Sequence, residues 1–82
     1  MLAARELPDF HTTEQRDRYI RDHADYFAVS YRTRNLRIRT EHAALEEARV
    51  VASFIARAVQ KPLMIYAVLG CYDALVETVQ ST

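Results

Sequence analysis

From Tyr26 to Thr33 apolar and polar residues alternate with period two. Phe27, Val29, Tyr31 and Thr33 point one way, and Tyr26, Ala28, Ser30 and Arg32 the other. Residues 36–41 alternate again, with Leu36, Ile38 and Thr40 against Arg37, Arg39 and Glu41. The parity predicts a hairpin with Arg34-Asn35 as a two-residue loop, Tyr31 opposite Ile38 and Arg32 opposite Arg37. A three-residue loop would swing Leu36 and Ile38 to solvent, because a one-residue slip flips every side chain. Asn35 tolerates the left-handed backbone that a tight hairpin turn needs, though Gly would suit better.

Helical spacing follows. From Thr40 or Glu41 to the Lys61-Pro62 step, Leu45, Ala48, Ala52, Ile55 and Val59 form one buried stripe, flanked by Ala44 and Val51. Proline disfavours helix in the residue before it and ends the run. Glu46, Arg49, Ser53 and Arg57 fall on the opposite side, with Glu46 and Arg49 spaced to pair. LMIYAVL, residues 63–69, is apolar on both faces, as a strand with neighbours on each edge requires. Gly70 marks a turn. The tail YDALVETV is favoured as the return strand of a second hairpin, although Tyr72, Leu75, Val76 and Val79 also fit a helix. Residues 1–12 read as an irregular lead-in. Thr12 and Gln15 then form a capping box opening a helix over about Thr13–Ala24, whose apolar face is little more than Tyr19 and Ile20. The pattern predicts an α+β fold: a four-stranded, largely antiparallel sheet in ββαββ order packed against one long helix, with a short N-terminal helix. Residues 1–82 read as a single domain, with lead-in and short helix over 1–25 and the ββαββ core over 26–82.

Composition narrows the function classes. A core built by 82 residues rarely supplies more than about 3–5 kcal/mol of net stability. Cys71 is the lone cysteine, so no disulfide adds to it. Oligomerisation or docking onto a larger partner is therefore expected, a homodimer included. Net charge is zero, so nothing global steers the chain to nucleic acid or membrane. MLAARELPDF lacks the apolar run of a signal peptide, and PLMIYAVLGCY is far short of the ~20 residues of a membrane span. A cytoplasmic protein that does not engage membranes is the expectation.

The charges are unevenly placed. Residues 32–39 carry Arg32, Arg34, Arg37 and Arg39 with no acid among them. The hairpin register gathers Arg32, Arg37 and Arg39 on one face, with Arg34 at the tip and Tyr26 on the same face, able to stack on a base. These five residues are the candidate site for a nucleic acid or another partner. The competing reading is a solvated outer face, where arginine stems cover the sheet and their heads stay in water. Glu41, or Asp17, Asp22 or Asp25 from the N-terminal helix, could offset the repulsion between Arg32 and Arg37. Val50 and Phe54 lie off the core stripe and, with Glu47 and Ala58, make a narrow second strip. Its cover would be the N-terminal helix or a second subunit.

No catalytic constellation emerges. His11, His23 and His42 have no helical metal-site spacing, so no metal is expected. Cys71 stands beside Asp73, which opposes thiolate formation, and reads as a buried or half-buried thiol. With a single Gly there is no phosphate-cradling loop. The chain reads as a non-enzyme without cofactors.

In size and layout, with TEHAALEEARVVASFIARAV leading from a hairpin into a buried strand, the chain resembles the small α+β proteins of phages and mobile elements. Their best-known functional group is the anti-CRISPR inhibitors. That resemblance implies a protein partner, a CRISPR effector complex, bound so as to block DNA access or nuclease recruitment. Inhibitors that imitate DNA are commonly acidic. A neutral chain with a basic hairpin points instead to steric blocking. The leading expectation is a small protein-binding module of this inhibitor type. The alternative is a nucleic-acid-binding accessory or regulatory protein using the arginine hairpin.

Overall fold

The computed structural model describes residues 8–81; the first seven residues of the lead-in, and with them most of MLAARELPDF, lie outside the described part. The elements are α1 (Thr13–Asp22), β1 (Tyr26–Arg32), β2 (Arg37–His42), α2 (Leu45–Val59), β3 (Leu63–Leu69) and β4 (Tyr72–Val79). The sheet order is β2-β1-β3-β4, and every neighbouring pair is antiparallel. The fold is α+β, as the hydrophobic pattern predicts. β3, apolar on both faces, lies between β1 and β4.

The first hairpin has the expected register, with Tyr31 opposite Ile38 and Arg32 opposite Arg37. Its turn closes differently. The Thr33 N–H donates to the Leu36 carbonyl at 2.7 Å, and the Leu36 N–H donates to the Thr33 hydroxyl at 3.0 Å. Asn35 is not left-handed; among the described non-glycine residues only Gln60 has a positive φ, 58°. The threonine hydroxyl takes the amide that the turn must satisfy.

α2 begins at Leu45, later than Thr40 or Glu41, because Thr40, Glu41 and His42 pair with Val29, Ala28 and Phe27. A satisfied sheet ladder outweighs another helical turn there. The His42 ring is hydrogen-bonded to the Thr40 hydroxyl at 2.8 Å and to the Glu47 carboxylate at 2.9 Å, tying the end of β2 to the first turn of α2. Gln60 ends the helix in the left-handed conformation, just before Lys61-Pro62. Ala48, Ala52 and Ala56 are its fully buried residues and pack on Val29, Leu63 and Ile65. Leu45, Ile55 and Val59 are half-buried around them. The helix therefore sits close to the sheet on small residues, with larger ones closing the sides. Glu46 and Arg49 do not pair; Arg49 bonds Glu77 of β4 instead.

α1 is capped as expected: the Thr12 hydroxyl accepts the Gln15 N–H at 3.1 Å. The Gln15 side chain accepts the His11 N–H, one residue before the cap. The helix stops at Asp22, short of Ala24, and the His23 N–H donates to the Tyr19 carbonyl. Its anchor is Ile20, fully buried with Ala67, Leu69 and Ala74. Tyr19 packs between Phe10 and His23. Ala67 and Ile65 share a face of β3, so α1 and α2 lie on the same side of the sheet.

The tail is a strand, completing the second hairpin. Its register slips once: Ile65 faces Glu77, but Tyr66 faces Leu75. The extra residue, Val76, makes a bulge that leaves both Val76 and Glu77 towards the helices. Gly70 supplies the left-handed residue of the turn, with φ 61°. Cys71 beside it is exposed, where burial had been expected, because the turn carries it off the sheet's ends.

Candidate functional site

Helices on one side leave the other side of the sheet bare among the described residues. Alternation and cross-strand pairing decide what that face carries. β1 contributes Tyr26, Ala28, Ser30 and Arg32, and β2 contributes Arg37, Arg39 and Glu41. β3 adds Met64, Tyr66 and Val68, and β4 adds Asp73, Leu75 and Thr78. The two strands at the centre each present a tyrosine. Tyr26 faces Val68 and Tyr66 faces Ala28, so the two tyrosines are diagonal positions on this face. Ala28 and Val68 are buried here without a described helix above them. Their cover falls to the longer side chains alongside.

Those side chains are held in place. The Arg39 guanidinium donates to the Tyr26 hydroxyl at 3.3 Å and lies 3.6 Å from the Glu41 carboxylate. The Tyr66 hydroxyl donates to the Met64 sulfur at 3.4 Å. Arg32 and Arg37 face one another across the hairpin, and Arg34 projects at its tip. None of these three has an ion pair among the described residues, whereas Asp17 is held by Arg16 and Asp25 accepts the Gly70 N–H. Of the acids considered as neutralisers, only Glu41 reaches an arginine of the stripe.

Tyr26, Arg32, Arg37 and Arg39 thus share the bare face, with Arg34 at its rim, but only Arg39 reaches Tyr26, which lies at the opposite end of β1 from Arg32. Tyr66, Met64 and Leu75 complete the face and were missed, because LMIYAVL reads as buried on both sides. The signal was present in the alternation of Met64 and Tyr66 with Leu63 and Ile65. Met64 is 38% and Leu75 44% exposed, against 0% for Leu63 and Ile65. The β1–β2 half of the face is basic and the β3–β4 half mostly apolar.

The second strip lies elsewhere. Val50 and Phe54 are 70% and 76% exposed on the outer side of α2, with Glu47 and Ala58 also exposed beside them. α1 does not cover them: it packs on β3 and β4 and makes no contact with α2. No family model, curated protein or solved structure matches this chain. No helix among the described residues is long and apolar enough to cross a membrane.

Proposed function

We propose that the protein is a non-enzymatic binding module that holds a single-stranded nucleic acid on its bare sheet face. One observation carries this reading: Tyr26 and Tyr66 are diagonal neighbours on the central strands, with the Arg39 guanidinium on the Tyr26 hydroxyl and with Arg32 and Arg37 farther along the same face. A four-stranded sheet with aromatics on an open face is a recurrent platform for unstacked bases. Tyrosine rings accept any base, while arginines follow the phosphates. The zero net charge argues against strong non-specific attraction but not against a local footprint, because Arg32, Arg37 and Arg39 outnumber Glu41 and Asp73 on this face.

The test is fluorescence anisotropy with short labelled oligonucleotides across a salt series. Four phosphate contacts, from Arg32, Arg34, Arg37 and Arg39, imply a slope of about −2.8 in log K against log salt for a single strand. Affinity should then fall roughly fiftyfold between about 50 and 200 mM salt. Tyr66→Ala should cost about 1–3 kcal/mol of binding. Absence of binding at low salt rejects the reading.

A second reading keeps the face and changes the ligand. Met64, Leu75 and the tyrosines beside arginines also match the composition of protein interfaces. A protein partner, including the CRISPR effector complex that the resemblance suggests, would then sit there and be blocked sterically. Failure to bind purified effector complexes, together with failure to restore phage plaquing on immune hosts, would reject the inhibitor form.

A further inference from the structure

The outer side of α2 carries Glu47, Val50, Phe54 and Arg57, separated by three, four and three residues, which places them in one stripe along the helix. The stripe points away from the sheet, and no described element covers it. Its chemistry has a direction. Acids, Glu46 and Glu47, occupy the first turn, and Arg57 and Lys61 lie at the far end. Its order is also symmetric about Ala52. Val50 and Phe54 are equally distant from that residue, and so are Glu47 and Arg57. Reversing the helix lays Val50 on Phe54 and Glu47 on Arg57.

A surface that meets its own complement on reversal is what a two-fold interface requires. We propose that α2 pairs antiparallel with α2 of a second copy, about an axis at the level of Ala52. Phe54 of each copy covers Val50 of the other, and Glu47 and Arg57 of opposite copies form an ion pair at both ends. Antiparallel pairing also sets the helix dipoles in opposition. Within the chain Arg57 has no ion pair among the described residues. Glu47 uses Oε1 for His42, which orients the carboxylate while its side chain stays 64% exposed. Two large apolar residues per copy make a contact well below the standard interface size, so the dimer is weak and concentration-dependent. This inference does not rest on the proposed function, since it uses the opposite side of the molecule.

Analytical ultracentrifugation of the full chain over a wide concentration range tests it. A monomer–dimer equilibrium is expected. Phe54→Glu should raise its dissociation constant by about a hundredfold or more while circular dichroism stays unchanged. Glu47→Arg and Arg57→Glu should each weaken the dimer, because every substitution acts twice across the axis, and the double swap should restore it. A monomer at the highest soluble concentration overturns the proposal. So does a dimer insensitive to Phe54→Glu, a double swap no better than the singles, or a dimer lost only with Leu75→Glu on the bare sheet face.

Discussion

At Arg37 stability and the proposed binding pull in opposite directions. Its cross-strand partner is Arg32, and like charges directly opposite one another destabilise a sheet. Arg37→Glu turns that pair into an attractive one and should stabilise the fold by about 0.5 kcal/mol or less, since both residues are exposed. The same substitution should cut oligonucleotide affinity and flatten its salt dependence. Urea unfolding and anisotropy on one variant read both effects; a stability gain with unchanged affinity would make the stripe a solvated cover. Ala52 carries the opposite kind of constraint. It is fully buried where α2 meets Val29 and Ile65, so Ala52→Leu should cost about 1–3 kcal/mol by overpacking, measured by urea unfolding. The positions of the arginines were legible in the sequence because parity alone settles the register. The backbone of Asn35 was not, because the Thr33 hydroxyl, a local hydrogen bond, chose the turn.

Among the elements, α1 has the weakest hold. Its only fully buried residue is Ile20, and it packs on β3 and β4 without touching α2. Ile20→Ala should therefore cost about 2–5 kcal/mol of whatever free energy docks α1. Native-state hydrogen exchange should show the α1 amides opening before those of β1 and β3 in the parent chain, and far earlier in the variant. Equal protection of α1 and the central strands would show that docking is stronger than one anchor implies. The thinness of this helix was visible in the sequence, since only Tyr19 and Ile20 mark its apolar face. Its docking site was not, because Ala67 and Ala74 are too small to announce a contact. The same limit explains why the start of α2 was placed early. Thr40 to His42 fit a helix by spacing, and only their pairing with β1 makes them strand. The bare face is a consequence of topology: alternation in LMIYAVL sets Met64 and Tyr66 on one face, and only the placement of both helices on the other side makes that face the outward one.

For the whole molecule, the two candidate surfaces lie on opposite sides of a two-layer structure. The sheet presents Tyr26, Tyr66 and the arginines outward, and α2, on the other side, presents Val50 and Phe54. A dimer joined through α2 therefore stacks as sheet, helix, helix, sheet. With layers spaced by roughly 10 Å each, its two bare faces stand roughly 30 Å apart and point away from each other. A short oligonucleotide cannot lie on both, so under the proposed function each protomer would hold its own strand and the dimer would bridge two. Energy transfer between donor- and acceptor-labelled strands should then rise with protein concentration as dimers form. Phe54→Glu should bind each strand with unchanged affinity yet abolish the transfer, because it removes the seam and leaves the face intact. Arg37→Glu should do the reverse, losing binding while the dimer persists. If Phe54→Glu lost strand binding as well, the two surfaces would be coupled through the layer between them. Separable effects would instead fit a sheet whose outward face is set by the first hairpin and β3, independent of what α2 meets.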